Sequence, residues 1–343
     1  MEGNTKLLTV AEVKQLDLPR GLNFEGIFVL KRKTRKTARN GSTYWGLEFG
    51  DKSGNFRSTC FGGHPLHSRI ETIAEDSPVF VRGVTGVYQG NLSPDLSEIR
   101  PLTEEESRDP SLFQNLVETC LEDPDELWAE LQEIVDRIGH EALRETVQRT
   151  LKEMETEFRC APAAMKMHHA YRHGLLEHTV HMARAAIALL PLYTEVDPDL
   201  ALAGVVLHDI GKAIEYEGEL SSNKSKSGIL QGHVVLGYRL ARRAGMLAKL
   251  SSELLERLEH IILSHQGALE WGAASLAATP EAVFVSMVDN LDARMGMVQY
   301  ALRHRSDGQI FSEYIGGLKT PLLTEPISVE DGKTLGQQED LDL

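Results

Sequence analysis

Histidine and aspartate recur among apolar residues at five places in the second half of the chain. His178 lies in "LLEHTVHM", His208 and Asp209 in "VVLHDIGK", His233 in "QGHVV", His265 in "IILSHQG" and Asp289 in "VSMVDNLD". Any one of them can be read as a hydrogen-bonded structural residue or a polar helix end. Together they are harder to explain that way, because a polar group buried without a partner costs about 1–3 kcal/mol. Imidazoles and carboxylates from several helices can satisfy one another around a metal ion, and a donor set without thiolate suits manganese, iron, cobalt, nickel or zinc. A carboxylate such as Asp209 can bridge two ions. Two ions about 3.5–4 Å apart would lower the pKa of a shared water and clamp a phosphate. Lys212, just beyond, would then meet charge developing on phosphate oxygens.

The elements that must position these groups read as helices. "DELWAELQEIVDRI" places Leu127, Leu131, Ile134 and Ile138 on one stripe, and "LRETVQRTLKEMETEF" does the same with Val147, Leu151, Met154 and Phe158. Helix starts are marked at Asp197 before Pro198, at Ser251 or Ser252 before "ELLERL", and at Thr279 before Pro280. The second half is therefore expected to be all-α. From about Gly316 the periodicity fades, and the acidic tail is expected to be poorly ordered.

The first hundred residues have a different character. "LNFEGIFVLKRKTRKT", "STYWGLEFGD", "NFRSTCFG" and "SPVFVRGVTGVYQG" are short β-type runs separated by turn residues, the pattern of a small barrel, for which an OB-fold is the natural candidate. The formal net charge of the 343 residues is −15, which argues against indiscriminate coating of nucleic acid. "KRKTRKTAR" nevertheless gathers Lys31, Arg32, Lys33, Arg35, Lys36 and Arg39 into a strip able to track a phosphate backbone. Tyr44 and Trp45 are candidate stacking platforms beside it, although alternation must send some of the aromatics Phe28, Tyr44, Trp45, Phe56 and Phe61 into the core. By charge alone the strip reads more readily as a solvated hairpin. His64 and His67 read as surface loop residues without carboxylate partners. Cys60, Cys120 and Cys160 are widely spaced and fit reduced thiols, and no signal-like or membrane-length apolar run is present, so a cytoplasmic protein is expected.

The order His178, His208-Asp209, Asp289 resembles the H…HD…D signature of the HD superfamily of metal-dependent phosphohydrolases, and His233 and His265 match the extra histidines of its two-metal members. More narrowly, "HHAYRHGLLEHTVHM", "GVVLHDIGK", "GHVVLGYRLA", "ILSHQGALEWG" and "VDNLDARM", with "KTARNGSTYWGLEFGDKSGNF" ahead of them, resemble in order the YhaM-type 3'→5' exoribonucleases, over roughly Asn23 to Pro321. The resemblance implies a multidomain chain: an OB-fold nucleic-acid-binding barrel over 1–100, an acidic linker over 101–125, an all-α HD domain over 126–318 and a tail over 319–343.

It implies further that His178, His208, Asp209 and Asp289 hold one divalent ion, and that His233 and His265, with Asp209 bridging, hold another. Manganese is the first expectation, then cobalt, iron, nickel or zinc. Asp209 and Lys212 would be the catalytic pair, Lys212 as a phosphate contact, with Asp292 supporting the ligands and His169 a substrate contact. Two positions depart from the family pattern: Gln266 where relatives commonly carry a second histidine, and His173 where a glycine is usual. The activity implied is metal-dependent hydrolysis of single-stranded RNA, with single-stranded DNA as a further substrate, by a metal-activated hydroxide that releases nucleoside 5'-monophosphates. Competing readings are a phosphohydrolase of small nucleotides or cyclic dinucleotides and a non-catalytic RNA-binding scaffold. A homo-oligomer is left open, and no membrane partner is expected.

Overall fold

The computed structural model describes residues 6–16, 21–38, 41–108, 112, 115–164, 169–217, 223–305 and 309–325. Helix α1 (Val10–Gln15) is fixed by a capping box between Thr9 and Glu12 and buries Val10 and Val13. Five strands follow in one antiparallel sheet: β1 (Asn23–Thr37), β2 (Thr43–Asp51), β3 (Gly54–Phe61), β4 (Ser77–Val84) and β7 (Asp95–Pro101), in the order β3-β2-β1-β4-β7. Helix α2 (His67–Thr72) joins β3 to β4, and a small hairpin, β5 (Val87–Tyr88) with β6 (Asn91–Leu92), joins β4 to β7. The sheet curls enough for its edges to meet, where Ser58 Oγ donates to the Pro94 carbonyl at 2.8 Å. Phe24, Phe28, Leu30, Leu47, Phe49, Phe56 and Ile99 fill the interior.

The long strand β1 changes phase part-way. Its register with β2 shifts between Leu30 and Arg32, so Lys31 is an extra residue. Before it, Phe24, Phe28 and Leu30 point into the core; after it, Lys33 and Arg35 lie opposite Leu47 and Trp45. Because side chains alternate, one inserted residue exchanges the two faces. Arg32, Thr34 and Lys36 are thereby turned outward with Tyr44 and Glu48.

Packing continues into the described residues beyond β7. Leu116 is buried against Ile27, Val29 and Phe80 on the outer face of the sheet, and Thr119 bridges to Arg172 of the helical part. The helices are α3 (Pro124–Asp136), α4 (Glu141–Cys160), α5 (Gly174–Leu189), α6 (Pro198–Leu207), α7 (Lys212–Glu215), α8 (Lys226–Leu247), α9 (Ser252–Ser264) and α10 (Pro280–Arg303). The expected N-caps Asp197, Ser251 and Thr279 each accept from a backbone N–H in the first turn. Helix α6 is the centre of the layer. All its residues from Leu200 to Leu207 are buried, and it touches α3, α4, α5, α9 and α10. That is why "LALAGVVL" has no polar face. Beyond α10, Phe311 bridges to Leu323 and Ile315 to Thr320, so structure extends past Gly316, where the periodicity fades, to the buried Thr324. Residues 326–343 of the tail lie outside the described residues.

Candidate metal centre

Each candidate ligand is delivered by a different piece of the helical layer. His178 is buried in the first half of α5. His208 caps the C-terminus of α6, and Asp209 follows in the tight turn into α7. That turn packs on α8 so closely that a Cβ on Gly211 would lie 2.0 Å from the His233 carbonyl oxygen, which makes glycine necessary there. His233 begins the second part of α8, just after Gly232, whose φ of 71° and ψ of 158° break the helix. Such a conformation is essentially confined to glycine. His265 caps the C-terminus of α9, and Asp289 lies midway along α10.

All four imidazoles engage Nδ1 and send Nε2 inward. His208 Nδ1 donates to the Val205 carbonyl at 2.7 Å and His265 Nδ1 to the Ile262 carbonyl at 2.8 Å. His178 Nδ1 donates to Asp292 Oδ2 at 2.6 Å and His233 Nδ1 to Glu215 Oε2 at 2.8 Å. A proton fixed on Nδ1 leaves the Nε2 lone pair for an ion.

The inward atoms form two groups that share Asp209. Around its Oδ2, His208 Nε2 is at 3.2 Å and His178 Nε2 at 3.7 Å; His178 Nε2 lies 3.4 Å from Asp289 Oδ1. Around its Oδ1, His265 Nε2 is at 3.4 Å and His233 Nε2 at 3.5 Å. Ligands about 2.1 Å from a common tetrahedral ion are themselves ~3.4 Å apart, so the triads His178–His208–Asp209 and Asp209–His233–His265 have the dimensions of a coordination shell, while Asp289 meets the first of them through His178. Asp209 Oδ1 is buried and takes no hydrogen bond, though it faces the two Nε2 lone pairs. Three acceptors turned toward one another attract a hydrogen-bond donor or a cation, and the set fits a divalent metal.

The pocket favours positive charge: burial works against ionising His178, yet Asp289 and Asp292 raise its pKa to about 10, so its Nε2 carries a proton that an ion would displace. Burial likewise works against ionising Asp209, but Lys212 and His208 hold its carboxyl well below the ordinary range. Lys212 Nζ donates to Asp209 Oδ2 at 2.5 Å, so its ammonium sits at the rim of the shared carboxylate.

Several supporting residues carry no signal in the sequence. Glu215 is buried, and Lys224 donates to it at 2.7 Å on the side away from His233. Behind His178 lies a second cluster of His169, His181, Asp292, Glu177 and Glu122. It is bonded internally: His181 Nε2 pairs with Glu122 at 2.9 Å, and Tyr171 donates to Glu177. The expectation that His169 touches substrate is corrected by this network. His169 is buried, with Nδ1 on Glu177 at 3.0 Å and Nε2 on Asp292 at 2.9 Å, so neither ring nitrogen faces an incoming strand. His168 lies outside the described residues.

On the barrel, a groove of about 760 Å³ runs between strands β1–β3 and the β5–β6 hairpin, lined among others by Arg32, Lys36, Tyr44, Arg57 and Tyr88. Tyr44 is half-buried, its ring 5.8 Å from that of the exposed Phe61. The basic strip is divided by the bulge. Lys33 Nζ donates to the carbonyls of Ile70, Glu71 and Ile73 at the end of α2, and Arg35 lies 3.9 Å from Glu71. Lys31 donates to Asn55 at 2.8 Å. Arg39 lies outside the described residues. Trp45 is not the expected platform: it is buried in the barrel core, with its indole N–H on the His67 carbonyl at 3.2 Å, because the register turns it inward. His64 is exposed as expected, whereas His67 stacks obliquely on Trp45.

The model of the HD domain matches residues 175–294, the stretch of the helical layer that carries every candidate ligand, so the chain contains an HD domain. Sequence relatives are more specific. The protein named 3'-5' exoribonuclease YhaM from Bacillus subtilis (strain 168) is 30% identical over 306 residues, covering 89% of this chain and 96% of that protein. The protein of the same name from Geobacillus sp. (strain WCH70) is 31% identical over 299 residues, covering 87% and 90%. One from Listeria monocytogenes serotype 4b (strain F2365) is 29% identical over 316 residues, covering 92% and 99%. The chain belongs to the YhaM family of 3'-5' exoribonucleases.

Proposed function

We propose that the protein is a metal-dependent 3'→5' exoribonuclease that removes nucleoside 5'-monophosphates from single-stranded RNA, acting in the cytoplasm. The observation that carries the reading is the shared carboxylate of Asp209, one oxygen in each of two shells of coordination size. His178, His208, Asp209 and Asp289 would hold one divalent ion, and Asp209, His233 and His265 a second, manganese being the expected metal. Such a pair supplies a water of lowered pKa and a clamp for the scissile phosphate.

The chain's own residues do the rest. Asp209 stays ionised and fixes the spacing of the two shells, with Lys212 beside it to contact the phosphate. Asp292 and Glu215 keep His178 and His233 in the tautomer that offers Nε2. The sheet module, which we assign as an OB-fold over 1–100, would hold the strand through Arg32, Lys36 and Arg57, with Tyr44 as a stacking surface. Residues 101–125 would join it to the helical domain of 126–318.

A time course on 5'-labelled single-stranded RNA with manganese tests this. Products that shorten one nucleotide at a time, with nucleoside 5'-monophosphates released, are expected, and a parallel DNA strand measures the sugar preference. Internal cuts, or turnover of free nucleotides with RNA left intact, would overturn it.

A further inference from the structure

Gln266 follows His265 and is half-buried at the mouth of the shell formed by Asp209 Oδ1, His233 and His265. Its carboxamide nitrogen lies 2.9 Å from His265 Nε2 and 3.2 Å from His233 Nε2. Both imidazoles have committed their protons to Nδ1, so both Nε2 atoms are acceptors. The two hydrogens of one NH₂ group match those two lone pairs. Gln266 thus engages, as a neutral donor, the same two lone pairs that a cation in this shell would use.

The two ends of a carboxamide have nearly the same shape and opposite polarity. Turning it over replaces the donor by Oε1, an acceptor, at nearly the same place. We propose that Gln266 is the selectivity residue of the second shell: its NH₂ guards His233 and His265, and on ion entry the amide turns so that Oε1 joins Asp209 Oδ1 and the two imidazoles as a ligand. An amide oxygen is a hard donor suited to magnesium or manganese, whereas a further imidazole would favour zinc or nickel. The second shell is therefore tuned toward the harder ion by this residue. The inference rests on the two-ion reading above.

The test uses the full-length, metal-stripped protein titrated with Mn²⁺ alone and with Zn²⁺ alone, against Gln266→Leu and Gln266→His. Circular dichroism confirms that each variant is folded. In the parent, two Mn²⁺ ions should bind per chain. Gln266→Leu removes donor and acceptor at similar volume; it should weaken the second Mn²⁺ by ~10–100-fold, the range expected when a metal shell is deprived of a partner, and leave the first unchanged. Gln266→His should shift the second shell's preference toward Zn²⁺. Unchanged affinity for both Mn²⁺ ions in Gln266→Leu, with no shift in Gln266→His, overturns the role of Gln266 while the two-ion reading stands. Uptake of a single Mn²⁺ by the parent overturns both.

Discussion

Replacing Asp292 by asparagine separates orientation of a ligand from ligation itself. Asp292 Oδ2 accepts from His178 Nδ1 at 2.6 Å and from His169 Nε2 at 2.9 Å, in a buried setting. Burial disfavours its charge, but His169, His178 and His181 hold the carboxyl far below its ordinary range. Asparagine keeps the volume and one acceptor for His178 but removes the negative charge behind it. A partner of this kind is worth about 10–100-fold in metal affinity, or ~1.4–2.7 kcal/mol. Asp292→Ala goes further and leaves two buried N–H groups without acceptors, each costing about 1–3 kcal/mol of stability. Mn²⁺ titration by chelator competition should therefore show weakened binding at the first shell in Asp292→Asn, with a melting temperature closer to the parent's than that of Asp292→Ala. Saturating Mn²⁺ should restore most RNA turnover in Asp292→Asn, because every proposed ligand is still present. Parent-like affinity in Asp292→Asn would refute the orienting role, and failure of excess metal to recover any turnover would assign Asp292 a part in the chemistry.

Other perturbations address the remaining parts. Replacing Arg32, Lys36 and Arg57 by glutamine should weaken single-strand binding for all sequences alike and make its salt dependence shallower, by about 0.7 in log–log slope for each phosphate that is no longer neutralised; an unchanged slope moves the strand to another face. Tyr44→Ala should cost roughly 1–3 kcal/mol of binding with the slope preserved, read by fluorescence titration of labelled RNA. Gly211→Ala should destabilise the fold by about 1–3 kcal/mol or more and weaken Mn²⁺ uptake, because its Cβ meets backbone at His233; a variant with parent stability and metal content would contradict the close approach. Burial raises the Cys120 thiol to about 11, and thiolate is the nucleophile, so alkylation at about pH 8 should spare Cys120 and reach the partly exposed Cys160 first, as mapped by peptide mass spectrometry.

Some of this arrangement can be read from local pattern and some cannot. The caps at Asp197, Ser251 and Thr279 and the stripes of α3 and α4 depend on residues within one or two turns, so sequence spacing reveals them. The ligand candidates stand out because each interrupts an apolar helical run. Glu215 and Glu177 look like ordinary surface glutamates in sequence, and only tertiary packing brings Glu215 to His233, 18 residues away, and Glu177 to His169. The inward turn of Trp45 is hidden in the sequence for a related reason: the phase of β1 depends on the extra residue Lys31, and nothing in "KRKTRKTAR" marks where the bulge falls. The same bulge decides which cations of the strip face the groove.

Asp209 is the residue on which the proposed two-ion centre depends most. Anomalous diffraction from crystals of the full-length protein loaded with Mn²⁺ measures the centre directly. Two peaks are expected, ~3.5–4 Å apart, one beside Asp209 Oδ2 among His178, His208 and Asp289, the other beside Oδ1 between His233 and His265. A single peak, or two peaks that do not share the Asp209 carboxylate, would contradict the two-ion centre.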